Sequence, residues 1–84
     1  MIIEKYFVYA LQNLDGKLYI GQTWNIQKRL QEHNEEGNGY TAKFRPWRLV
    51  YTEIVISRKE AMQREKYLKT GVGREWLKKN ATGD

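Results

Sequence analysis

The sequence predicts an α+β protein: a small three-stranded antiparallel sheet flanked by helices, in the order β-β-α-β-α-α. Three observations predict it. The β-forming run Lys5 to Gln12 leads into Asn13-Leu14-Asp15-Gly16, and Asp-Gly is a strong hairpin signal. From Trp47 to Ile56, Leu49, Tyr51, Glu53 and Val55 alternate with Arg48, Val50, Thr52 and Ile54, the period of a strand. Ser57-Arg58-Lys59-Glu60 then has the form of a capping box, with serine at the cap and glutamate three residues on.

Each element follows in order. The first strand covers 5–12, and the second runs antiparallel to it from Lys17 to Gly21, where Gly21-Gln22-Thr23 breaks it. A helix over about 25–35 places Ile26 and Leu30 four apart, with either Thr23 or Asn25 as its cap. Gly37-Asn38-Gly39 ends that helix, and 40–46 is a loop closed by Pro46. The strand from Trp47 to Ile56 carries apolar residues on both faces, which predicts the central, covered position in the sheet. A helix from Ser57 to about Thr70 is broken by Gly71-Val72-Gly73, and a short last helix covers Arg74 to Lys79.

The 84 residues predict one domain, 1–84, with a modest core. There is no cysteine and one histidine, His33, so disulfides and a thiolate zinc site are excluded as staples. Three Trp, six Tyr and two Phe favour a packed core over disorder. No stretch approaches the roughly 20 apolar residues of a membrane span. The start, Met1-Ile2-Ile3-Glu4-Lys5, lacks signal-peptide anatomy, so the expected compartment is cytoplasmic. The net charge of +5 is uneven. Residues 1–57 hold seven Lys/Arg against six Asp/Glu, and residues 58–79 hold eight against three. Lys43, Arg45 and Arg48 lie in a stretch without acids. Such a surface attracts phosphate backbones, although lysine-rich solvated helices account for the same charge.

Three features carry candidate chemistry. In the helix after Ser57, at about 100° per residue, Ala61, Glu65 and Leu68 share one face. A carboxylate among sheet-facing residues is costly unless paired or metal-bound. Glu65 therefore either pairs with an arginine at the edge of the stripe or ligates a metal. In the preceding helix Arg29 and His33 stand four apart beside Ile26 and Leu30, which is either a surface pair or a couple aimed at the packing partner. Tyr9 and Tyr19 sit on the two strands of the hairpin, where aromatics usually serve the core.

Together these residues resemble the GIY-YIG nuclease family, including the N-terminal nuclease domain of its excision-repair branch. Phe7-Val8-Tyr9 and, ten residues on, Tyr19-Ile20-Gly21 are similar to its two signature triplets. Thr23 lies two after that glycine, Arg29 eight after it, Glu65 on a later helix and Asn80 fifteen beyond Glu65. The resemblance spans about Tyr6 to Asn80. Phe7 stands where the first triplet has glycine, and Gln22 where the excision-repair branch has lysine.

The resemblance implies a three-stranded antiparallel sheet and metal-dependent hydrolysis of DNA phosphodiesters, structure-selective and serving repair or recombination. Carried over by position, Glu65 would hold one Mg²⁺ or Mn²⁺ and Arg29 the scissile phosphate. Tyr9, Tyr19 and His33 would line the site around the attacking water, with Tyr9 or His33 as the base. Asn80 would support the phosphate, and Gly21 would let the backbone turn tightly. A hard carboxylate suits Mg²⁺, a planar guanidinium suits phosphate, and a nearby cation can lower a tyrosine pKa. Thr23, Lys43, Arg45 and Arg48 join the expected substrate contacts, with a protein partner supplying specificity. Tyr9, Tyr19, Arg29, His33 and Glu65 are expected to converge. The rivals are a nucleic-acid-binding module with this fold but no useful turnover, and a protein-interaction domain.

Overall fold

A computed structural model describes residues 5–35 and 40–81. It contains β1 (Tyr6–Gln12), β2 (Leu18–Thr23), α1 (Ile26–Glu35), α2 (Tyr40–Lys43), β3 (Arg48–Val55), α3 (Arg58–Leu68) and α4 (Gly71–Asn80). The three strands form one antiparallel sheet in the order β2-β1-β3.

The hairpin closes as its turn residues dictate. Gly16 adopts φ 84°, a left-handed conformation that glycine takes without a Cβ clash. Asn13 Oδ1 accepts from the amides of Asp15 and Lys17, while its Nδ2 donates to the Phe44 carbonyl. The register pairs Tyr9 with Gly21 and Leu11 with Tyr19. β2 does not break at Gly21 but continues to Thr23, because the Phe7–Thr23 pairing extends the ladder.

The central strand is β1, not β3. Residues 8–11 of β1 are all buried, whereas Ile54 of β3 is 60% exposed. Apolar residues on both faces of β3 suggested a covered strand, yet one end of it is left open to solvent. The sheet separates two cores. Val8, Ala10, Ile20, Val50 and Val55 pack against Ala61, Leu68 and Leu77 of α3 and α4. On the other face Tyr9, Leu11 and Trp47 pack with Tyr19, Ile26, Leu30 and Phe44, under α1 and α2. The alternation of β1 sends Val8 and Ala10 one way and Tyr9 and Leu11 the other.

Helix ends follow local chemistry. Asn25 caps α1, its Oδ1 accepting from the Lys28 amide at 3.1 Å, and Thr23 Oγ1 accepts from the Asn25 amide. Ser57 caps α3 by accepting from the Glu60 amide. Residues 40–46, expected as loop, include the four-residue helix α2. α4 starts at Gly71 rather than Arg74, because Thr70 Oγ1 accepts from the Gly73 amide and caps it. Gly73 is no breaker: a Cβ there would collide with the backbone of Tyr67 and Leu68, so its bare Cα lets α4 fold against α3. The expected terminator Gly37-Asn38-Gly39 and the Met1–Glu4 start lie outside the described residues. Among the described residues no helix is long and apolar enough to cross a membrane.

Candidate active site

The site starts from the central strand. Tyr9 is 2% exposed and projects over β2, where its hydroxyl comes 2.6 Å from the point a Cβ on Gly21 would occupy. Gly21 thus serves as clearance for a buried ring within a continuing strand and not, as expected, as a tight turn. The Tyr9 hydroxyl shares a 3.0 Å hydrogen bond with His33 Nε2. Tyr19 packs on His33 with ring centroids 4.8 Å apart and lies 6.5 Å from the Tyr9 ring. His33 is therefore a buried member of the aromatic core and not half of a surface pair.

Charge reaches this cluster from both sides. Burial, then the adjacent Tyr19, push the Tyr9 pKa well above the ordinary 10.0; Arg29 pulls it down and Glu65 pushes it up. Among the protein's own groups, desolvation outweighs the guanidinium at Tyr9. Burial and the positive charge of Arg29 also lower the His33 pKa below 6.5, against a smaller opposing pull from Glu32. His33 is thus neutral at pH 7 and can accept a proton. Arg29 shares its Nε with Glu32 Oε1 at 3.1 Å, and both side chains stay about 40% exposed.

Contrary to the expectation from sequence, Glu65 does not join Tyr9, Tyr19, Arg29 and His33 on one face: it comes from the helix layer on the other face of the sheet. Ala61 and Leu68 are fully buried and Glu65 is half-buried between them, as helical spacing requires. Its Oε2 pairs with Lys69 Nζ at 3.0 Å, one helical turn on, so the partner is a lysine and not the arginine considered from sequence. α3 packs across β1 and β2, and Lys69 borders a cleft with Tyr19 at the outer edge of β2. The negative charge of Glu65 thereby bears on Tyr9 around that edge. Among the described residues no three His, Asp or Glu side chains gather to cage a metal. A single carboxylate that exchanged its Lys69 partner for a hard cation would hold one that keeps most of its waters, as Mg²⁺ does.

The other expected contacts are spread more widely. Thr23 is buried, with its hydroxyl engaged at Asn25. Arg45 Nε donates to the His33 carbonyl at 2.9 Å, fastening the end of α1. Lys43 is exposed with its ammonium 5.5 Å from the Phe44 ring, and Arg48 is exposed where β3 begins. Asn80 Nδ2 donates to the Trp76 carbonyl of its own helix, so that amide is engaged away from Tyr9.

Sequence reasoning missed two supports. Asn34 clamps Trp47, with Nδ2 donating to its carbonyl at 3.0 Å and Oδ1 accepting from its amide at 2.7 Å, which fixes α1 against β3. Tyr40 stacks over Tyr19 with centroids 6.4 Å apart, and Phe44 adjoins Tyr40. The aromatic spacing of 40, 44 and 47 was the available signal, obscured because the segment read as loop.

Known proteins share this architecture. The model of the GIY-YIG catalytic domain matches residues 5–80. A UPF0213 protein of Desulfotalea psychrophila is 47% identical over 66 residues, 76% of this chain and 60% of that protein, so the chain spans under two thirds of that relative. A UPF0213 protein of Staphylococcus haemolyticus is 41% identical over 77 residues, covering 90% of this chain and 94% of its own length. The solution NMR structure of a UPF0213 protein from Bacillus halodurans superposes with a TM-score of 0.58 at 29% identity, covering 94% of this chain and 87% of the other.

Proposed function

The chain belongs to the GIY-YIG catalytic-domain family, and from that premise we propose that it is a divalent-metal-dependent endonuclease hydrolysing DNA phosphodiesters. The observation that carries the reading is the buried Tyr9 hydroxyl, bonded to a neutral His33 and subject to the charges of Arg29 and Glu65. A contacting pair of titratable groups with shifted pKa values, here Tyr9 and His33, marks functional sites.

Arg29 holds the phosphate, its planar fork matching two phosphoryl oxygens. It can only donate, so it approaches the Tyr9 oxygen as a donor and leaves the Tyr9 proton aimed at Nε2. His33 is then the terminal acceptor. Tyr9 takes a proton from the attacking water as it passes its own to Nε2, and Tyr19 keeps bulk water off the imidazole. Glu65 would hold Mg²⁺ or Mn²⁺, which supplies positive charge to the phosphoryl and leaving oxygens. The setting we propose is cytoplasmic, acting on branched or interrupted DNA in repair or recombination. The whole chain 1–84 would form the catalytic module, and a protein partner would add specificity.

The test is Mg²⁺- or Mn²⁺-dependent cleavage of branched, nicked and linear DNAs by the wild type and Glu65→Gln. The substitution keeps the shape and removes the charge. Cleavage is expected to collapse while DNA binding persists and melting stays close to wild type. A Glu65→Gln protein that cuts as well as the wild type would sink the assigned role. A wild type that binds DNA but never cuts would favour the binding-module reading.

A further inference from the structure

The outer side of the edge strand β2 carries two clefts, of about 420 and 370 Å³. Leu18, Tyr40 and Arg74 line both, so they form one channel. One end is bordered by Lys17 and Lys78, the other by Lys69 and Tyr19. Tyr40 stands between them, 49% exposed and backed by Tyr19 and Trp47 with ring centroids 6.4 and 6.1 Å away. Glu75 is the acid on this lining and pairs with Lys78 at 3.4 Å, while Lys69 pairs with Glu65 at 3.0 Å from outside it. Among the described residues Arg74 makes no ion pair.

We propose that this channel seats an unpaired nucleic-acid strand, with a base stacked on Tyr40, its phosphates along Lys17 and Arg74, and its path leading to Tyr19. Cations attract any polyanion, but the half-exposed ring between them selects among polyanions. An unpaired base offers a free face to stack, whereas a duplex keeps its base faces inside and presents phosphates and edges. An acidic peptide offers charge without flat rings. The channel deepens the nuclease reading, on which its biological use rests, by naming the substrate class: DNA with a single-stranded arm beside the cut.

The test separates the two. Fluorescence anisotropy in EDTA measures binding of labelled oligothymidylate and of a blunt duplex of equal length, with polyglutamate as competitor. The wild type is expected to prefer the single strand and to lose affinity as salt rises. Tyr40→Leu is expected to weaken single-strand binding about tenfold, the scale of one lost stack, and duplex binding less than about twofold. Arg74→Gln, on an exposed helical surface, should lower the salt dependence without altering melting, which keeps the test valid if Tyr40→Leu unfolds. Unchanged single-strand affinity in both variants, equal losses on single strand and duplex, or full competition by polyglutamate would each overturn the channel. A protein that cleaves while both variants bind normally keeps the nuclease reading and loses the channel. One that never cleaves yet shows Tyr40-dependent binding does the reverse.

Discussion

On one face of the sheet Tyr51 donates to Glu53 Oε1 at 2.6 Å, and Arg64 donates to the same carboxylate through Nε at 2.8 Å and Nη2 at 3.0 Å. On the other face Tyr9 meets His33 at 3.0 Å, with Arg29 close by. The ingredients are similar: a tyrosine, an ionisable partner and an arginine. The charge balance differs. Arg64 neutralises Glu53 and is flanked by the Tyr67 and Trp76 rings at 5.2 and 5.1 Å, so the cluster ties β3 to α3 and α4 and is complete by itself. Around Tyr9 the imidazole is neutral, and among the described residues Arg29 has only the exposed Glu32 as a paired carboxylate. That positive charge is available to a phosphate. A closed ion pair stabilises the fold, and an unbalanced charge is what the proposed site would use.

Removing the arginine on the site face tests this with the largest expected effect. Arg29→Ala should lower cleavage roughly 10²–10³-fold, the loss typical of a deleted transition-state charge donor. Melting should hardly move, since the exposed Arg29–Glu32 pair contributes at most about 0.5 kcal/mol. A variant that cuts normally removes Arg29 from the mechanism.

Breaking the closed cluster should do the opposite. Glu53→Ala leaves the Arg64 guanidinium and the Tyr51 hydroxyl without their acceptor. Orphaning a fully buried partner costs about 3–5 kcal/mol, and partial exposure here reduces that to about 2 kcal/mol. For a domain of this size the melting temperature should fall by about 10 °C, with cleavage unchanged below the transition. Equal loss of activity and stability at both clusters would erase the distinction between them.

Gly21→Ala probes how the site is packed. The new methyl would stand 2.6 Å from the Tyr9 hydroxyl, so the ring must tilt away from His33 at a cost of about 1–2 kcal/mol. Gly71→Ala is the control, since a Cβ there meets nothing within 4 Å. If the two variants melt and cut alike, Tyr9 does not need the clearance that Gly21 provides.

Much of this contrast was legible in the sequence where local chemistry is self-contained. Asp15-Gly16 named the hairpin, Ser57 the start of α3, and helical spacing the half-burial of Glu65 between Ala61 and Leu68. What failed depended on tertiary context. The apolar faces of β3 could not show that Ile54 would be left in solvent at the edge of the sheet. Gly71 and Gly73 read as breakers because close packing of α4 on α3 is invisible in a local pattern. The depth of burial that raises the Tyr9 pKa is likewise a property of the assembled core. The Tyr51–Glu53–Arg64 cluster escaped notice because its members come from β3 and α3, and no spacing rule links them.

The smallest predicted effect distinguishes the faces by pH alone. His33 has a folded pKa below its ordinary 6.5, because burial and Arg29 disfavour its charged form. The folded state therefore binds fewer protons than the unfolded chain across that interval. Its contribution to stability is fully present above pH 6.5 and is lost as pH falls through the lower folded value. Glu53 behaves differently. Burial raises its pKa, but the bonds from Arg64 and Tyr51 outweigh burial and set it below 4.5. Its contribution is present above pH 4.5 and is lost only in stronger acid. Melting between about pH 7.5 and pH 5 should thus report the Tyr9–His33 face, and melting below about pH 4.5 the Glu53–Arg64 face. His33→Gln should flatten the first decline and leave the second, while Glu53→Gln should flatten the second and leave the first. A wild type whose melting is level from pH 7.5 to about pH 5, or a His33→Gln protein that declines as steeply, would mean that His33 is not held neutral in the fold. Its place as the terminal proton acceptor would then be lost.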